Sequence, residues 1–105
     1  MQLQWTETSK NDLLAIRRYI GEDNPTAAKA WVERLKNKAR NIVHAPKAGR
    51  MVPELSREDV REIIEGNYRI VCQVRPDKVS ILTVFESNRL LPIKKTLLGQ
   101  PDYKE

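Results

Sequence analysis

Polar and apolar residues alternate over residues 2–6, Gln-Leu-Gln-Trp-Thr, which predicts a short strand with Leu3 and Trp5 on one face. The period then lengthens. Leu13, Leu14, Ile16 and Ile20 recur at helical spacing, with Tyr19 at the edge of the stripe, and predict a helix over residues 8–21. Thr8 or Ser9 is the expected cap and Gly21 the stop. Asn24-Pro25 restarts the chain, because Asn caps well and Pro suits the first helical position. From there Ala27, Ala28, Trp31, Val32, Leu35, Ala39, Ile42 and Val43 mark the inner face of a second helix reaching about Val43. Lys29, Glu33, Lys36, Asn37 and Arg40 lie on its outer face. So short a turn predicts an antiparallel helix hairpin, closed tightly by the small Ala27 and Ala28.

After the connector Ala45–Gly49 the period falls to two. Residues 50–55 predict an edge or bulged strand, because Pro53 interrupts them. Val60–Glu65 predicts a strand with Val60, Glu62 and Ile64 on one face and Arg61, Ile63 and Glu65 on the other. Gly66-Asn67 is a hairpin turn, Tyr68–Arg75 the returning strand, and Val79–Phe85 the last strand of a three-stranded antiparallel meander. The tail from Leu90 is open between a short helix, a final strand and a mobile end. The order β-α-α-β-β-β, with three or four strands in the meander, is an α+β design. A helix pair covers one face of a largely antiparallel sheet and leaves the other partly open to solvent or a partner.

A chain of 105 residues suits one domain, residues 1–105, with 93–105 as a possible mobile tail. At 40% hydrophobic and 31% charged residues the composition is that of a folded chain rather than a disordered one. The formal charge of +5 fits a nucleic-acid or acidic-protein partner as well as it fits a plain soluble surface. Split at residue 48 it is spread thinly: nine Lys and Arg against five Asp and Glu before that point, ten against nine after. The single cysteine, Cys72, lies in an apolar run and is expected as a buried core thiol. With no disulfide framework, no leader-like segment and no spanning apolar run, the expected location is the cytoplasm. There is no Cys/His metal spacing, no glycine-rich phosphate loop and no aromatic-studded strand. No metal or cofactor is expected.

Four segments in order resemble the RelE/ParE-type toxins. They are Gly49–Leu55 with Val60–Ile64 and Gly66–Val71; the early pattern of Asp12, Leu13, Ile16, Tyr19 and Ile20; the helix start at Asn24, Pro25, Ala27 and Ala28; and the last strand followed by Ser87–Pro92. Together they cover about residues 3–92. The resemblance implies the toxin of a two-gene stress or plasmid-maintenance module, wrapped and blocked by the C-terminal region of a cognate antitoxin in a hetero-oligomer. It also implies one of two targets: DNA gyrase for ParE-like members, or mRNA in the ribosomal A site for RelE-like members.

Metal-independent RNA cleavage needs a base, an acid and cations around the phosphate. The histidine, His44, ends the second helix, where it suits the last carbonyls and the helix dipole. Tyr68 opens a strand and is expected to pack, and Tyr103 lies near the end of the chain. Glu62 and Glu86 are the remaining candidate bases. Arg61, Arg69, Arg75 and Arg89 lie on or beside the strands, with Arg61 and Arg69 as possible neighbours across the Gly66-Asn67 turn. They read either as partners of Glu62, Glu65 and Glu86 or as a cationic face for a target. The acid–base pair is the weak point, so the sequence favours the gyrase-binding branch. If the chain is a ribonuclease, Arg61, Arg69, Arg89 and Glu86 are the residues to carry it; an inactive relative that only binds antitoxin is the third reading. The expected antitoxin contacts are Leu14, Arg17, Arg18 and Ile20 on the first helix, by a helix laid on the hairpin or a strand added to a sheet edge. Pro53 disfavours that addition at its own edge.

Overall fold

A computed structural model describes residues 2–89 and 91. The chain order is β1 (Gln2–Trp5), α1 (Glu7–Gly21), α2 (Pro25–Ile42), β2 (Arg50–Met51), β3 (Val60–Glu65), β4 (Tyr68–Val74) and β5 (Lys78–Glu86). The strands form one sheet in the order β1-β5-β4-β3-β2. The β3-β4-β5 meander is antiparallel as its turns predict, whereas β1 pairs parallel with β5, from Gln2 opposite Lys78 to Trp5 opposite Ile81. That pairing gives the N-terminal strand an edge position beside the last strand. Tail calls from residue 92 onward, Tyr103 included, lie outside the described residues.

The caps set where the helices begin. Asn24 accepts from the Ala27 amide at 3.0 Å, with Pro25 just inside α2, as expected. On α1 the cap is Thr6, not Thr8 or Ser9. Its hydroxyl accepts from the Ser9 amide at 3.2 Å and lies 2.9 Å from the Ile81 carbonyl. The earlier residue wins because, buried between helix and sheet, it satisfies a helix amide and a strand carbonyl together.

The helix hairpin covers one face of the sheet. Leu13, Leu35, Ala39 and Ile42 meet Tyr68, Ile70, Cys72, Val79, Ile81 and Val84 there, with Trp5, Ile16 and Trp31 at the margin. Trp31 stands edge-on to Tyr68, ring centres 5.6 Å apart, and passes over the β3–β4 turn. Gly66 has φ +58 in that turn, and a Cβ on it would fall 2.3 Å from the Trp31 ring. Backbone sign and space therefore both require glycine.

The far face is less open than the pattern implies. Val52, Val60, Val71, Leu82 and Leu91 form a second apolar cluster, flanked by Leu55 and Phe85. The strand expected over 50–55 ends after Met51. Pro53 has no amide to give a ladder, and the chain instead rolls into a turn in which the Leu55 and Ser56 amides donate to the Val52 carbonyl. Val52 and Leu55 are thereby folded down onto the sheet as a strap.

Candidate functional site

Arg69 lies at the centre of the far face and is 5% exposed. Its Nη1 and Nη2 donate to the two oxygens of Glu54 at 2.9 and 2.8 Å, and its Nε donates to Glu62 at 2.9 Å. Nη1 also reaches the Arg89 carbonyl at 3.2 Å. The guanidinium lies 4.8 Å from the centre of the Phe85 ring. The other Glu62 oxygen accepts from Arg50 Nε at 2.5 Å, and Glu54 accepts from the Leu91 amide at 3.0 Å. Hydrogen bonds from Arg69, against an opposing push from burial, hold the Glu54 carboxyl down to about 2. The same bonds, led by those to Glu54, keep Arg69 charged more firmly than an ordinary arginine. The cluster ties strap, sheet and chain exit to one side chain.

The four strand arginines are not gathered on one cationic face. A two-residue turn pairs Ile64 with Arg69 and Arg61 with Cys72, so Arg61 faces the helix side while Arg69 faces away. The expected contact between them across the turn is absent for that reason. Arg61 instead donates to the backbone carbonyls of Glu58 and Gly49, at 2.9 and 3.2 Å. Arg75 lies beyond the far end of β4, where it donates to Gln73 at 3.0 Å. Gln73 in turn donates to Asp59, which Arg57 grips with two hydrogen bonds. Burial pushes the Asp59 carboxyl up, but the bonds from Arg57 and Gln73 prevail and lower it. Glu62, named as a base, is 1% exposed and engaged on both oxygens. His44 is exposed in the turn after α2.

Glu86 and Arg89 are brought together. They pair at 3.4 Å on the rim of a cleft of about 650 Å³ between α1 and the end of β5. Ala15, Ile16, Val84 and Phe85 supply apolar lining, and Asp12, Tyr19, Tyr68 and Thr83 the other polar groups. Asp12 accepts from the Thr83 hydroxyl at 2.5 Å and the Val84 amide at 3.0 Å, which fixes α1 on β5. Tyr68 is pushed up by burial, with Glu86 and Tyr19 adding to the effect, so its phenol remains a donor at neutral pH. Tyr19 is 72% exposed, although it reads from the sequence as the edge of a core stripe. Apolar lining with phenol, carboxylate and guanidinium around it can grip a protruding side chain.

The first helix has a second exposed feature. Leu14 is 48% exposed and lines a shallow groove with Arg17, Arg18, Gly21 and Glu22. Ile20, grouped with these from the sequence, is half-buried and outside that groove. Glu54, which organises the far face, carries no periodic signal, because it sits in the irregular strap.

The family model for the ParE toxin of type II toxin–antitoxin systems, parDE, matches residues 3–91. The chain belongs to the ParE toxin family. The matched span takes in the sheet, both helices and the strap, and so every residue of the Arg69 cluster and of the cleft. Toxin RelE2 of Caulobacter vibrioides is 40% identical over 57 residues, which is 54% of this chain and 65% of that one, a little under two thirds of the relative's length. A chain from the chromosomal ParDE toxin–antitoxin system of P. aeruginosa shares the fold at a TM-score of 0.69 and 22% identity, over 82% of this chain and 95% of that one. The ParE toxin family is described as the toxins of type II toxin–antitoxin systems. Among the described residues no helix is long and apolar enough to cross a membrane.

Proposed function

We propose that this ParE family toxin acts in the cytoplasm by binding DNA gyrase, without chemistry of its own, and that a cognate antitoxin neutralises it. Residues 1–105 would form one toxin domain. The observation that carries this reading is the state of Arg69. A cation at the centre of a sheet is useful to a ribonuclease only if it can meet a phosphate, and here two carboxylates neutralise it. Glu62, the nearest candidate base, is sealed by the same contacts. Exposed polar groups remain around the cleft, where Arg89 and Glu86 suit a protein contact, with Arg61 and Arg75 as further target-facing candidates. The groove of Leu14, Arg17 and Arg18 suits an antitoxin helix carrying an apolar anchor and acidic neighbours, with the half-buried Ile20 as a further antitoxin-facing candidate outside it. The test is a pair of assays on purified toxin: gyrase supercoiling, and mRNA cleavage on translating ribosomes. The expected result is inhibited supercoiling with intact mRNA; unaffected gyrase at micromolar toxin overturns the reading.

Ribosome-dependent mRNA cleavage is the second reading, and the cleft favours it. Tyr19, Tyr68, Glu86 and Arg89 supply the residue types that a metal-independent cleavage needs. If mRNA is cut, Glu86→Gln should remove the cleavage while the protein still binds its antitoxin. A chain that inhibits neither target yet still binds its antitoxin would be an inactive relative.

A further inference from the structure

Counted by structural element, the net charge is not thin at all. Residues 24–48 hold Lys29, Arg34, Lys36, Lys38, Arg40 and Lys47 against Glu33 alone. Removing these from the nineteen basic and fourteen acidic residues of the chain leaves thirteen of each. The whole formal charge of +5 therefore belongs to α2, its cap and the connector after it. Division at residue 48 hides this by averaging α2 with the more balanced first helix.

The fold sorts those cations into two sets. Arg34 and Lys38 turn toward the sheet and share Glu65, at 2.6 and 3.7 Å, with Arg34 also over the Trp31 ring. Lys29, Lys36 and Arg40 point the other way. With Glu33 they occupy about 60° of arc at 3.6 residues per turn and span about 16 Å of helix. Lys47 follows in the connector. Lys29, Arg40 and Lys47 are exposed, and Lys36 partly so. Among the described residues, Lys29, Lys36 and Lys47 make no ion pair, and Arg40 bonds to neutral Asn37. The large exposed apolar groups, Leu14, Tyr19, Met51 and Ile64, all lie outside α2.

We propose that the outward face of α2 docks on the phosphate backbone of duplex DNA without reading its sequence. Point charges without an apolar anchor suit a polyanion better than a folded protein, which needs a buried anchor residue. A straight, rigid row of cations suits the regular phosphates of a duplex. A single strand would call for stacking aromatics, and Trp31 is turned inward against Tyr68. Four cations with one carboxylate amount to about three phosphate contacts, giving a salt slope near −2.7 and a roughly 40-fold loss of affinity between 50 and 200 mM salt. The inference does not depend on gyrase as target, because gyrase is absent from its test.

The test is an anisotropy titration of the full chain against a labelled 20-base-pair duplex at several salt concentrations. Duplexes of unrelated sequence, single-stranded RNA and poly-glutamate serve as further probes, and circular dichroism checks the fold of each variant. The expected Kd at 50 mM salt is roughly 10 μM, independent of sequence. Lys29→Gln with Lys36→Gln should weaken binding about tenfold and flatten the slope by nearly two. Lys10→Gln with Lys78→Gln, which removes equal charge elsewhere, should change it less than about twofold, and Glu33→Gln should tighten it. Absent duplex binding, equal losses from the two lysine pairs, or tighter binding of RNA or poly-glutamate than of duplex would each overturn the proposal.

Discussion

On the helix side of the sheet, Leu35, Ala39, Ile42, Ile70 and Ile81 meet as an apolar layer. On the far side, Val52, Val71 and Leu82 share the surface with Arg69, Glu62 and Glu54. The two sides respond differently to damage. An apolar layer loses roughly what is cut from it, and a volume-conserving swap is tolerated. A buried charge cluster is stable only when complete, because removing one member leaves another charged, dry and unpaired. The helix side is thus graded and the far side all-or-none. The strap, the chain exit and Phe85 all depend on that second behaviour.

The sharpest break of this contrast is Arg69→Ala. It leaves the Glu62 side chain, 0% exposed, with only the largely exposed Arg50 for company. The expected loss is about 3–5 kcal/mol by urea denaturation. Arg69→Lys should recover little, since an ammonium cannot make the paired bonds to Glu54 and reach Glu62 as well. Arg69→Met with Glu62→Leu should recover the part of the loss that comes from stranding Glu62, while the part that comes from Glu54, with a side chain 19% exposed, stays lost. A loss below about 1 kcal/mol for Arg69→Ala would show that the cluster does not hold the far face.

Leu35→Ala is the matching cut on the other side. Leu35 is 0% exposed under α2, and its truncation should cost about 3 kcal/mol, within the usual range of 2–5. Leu35→Met should cost less than about 1.5 kcal/mol. If the conservative swap were as damaging as the truncation, the helix side would be as brittle as the far side.

How much was legible beforehand follows the same division. Helical and alternating periods place Leu13, Leu35, Ile70 and Ile81, because an apolar side chain needs only a face to be buried on. Turn chemistry gives the meander, and the parity of its two-residue turn already separates Arg61 from Arg69, although sequence proximity suggests the opposite. Glu54 could not be read the same way. It sits in a turn with no period, and its partner is fifteen residues away. The cleft is legible only in part: Glu86 and Arg89 stand out as polar residues ending a strand, while Tyr19 enters through the packing of α1 on β5.

Acid should weaken the far side through Glu54. Glu54 titrates at about 2 in the folded protein against an ordinary 4.5, because Arg69 hydrogen-bonds its charged form. A carboxyl depressed in the folded state contributes its stability above the unfolded value, and loses it as pH falls toward the folded one. The window therefore runs from about pH 4.5 down to about pH 2, and the loss should not exceed about 3 kcal/mol. Glu54→Gln should flatten that part of the stability profile. An unchanged profile would mean that Glu54 is not the group being protonated.

The smallest stability effect belongs to the residue nearest the proposed contact surface. Arg89 is 70% exposed and its pair with Glu86 is long and solvated, so Arg89→Ala should shift stability by no more than about 0.5 kcal/mol. Its carbonyl, which Arg69 holds, is kept in the variant. If the cleft meets a target, toxicity or target inhibition should nonetheless fall at least tenfold at unchanged antitoxin affinity. Losing activity and antitoxin binding together would join the cleft to the antitoxin surface instead. A fall in activity without a fall in stability is the reverse of the expectation for Leu35→Ala, and it separates a surface kept for a partner from one kept for the fold.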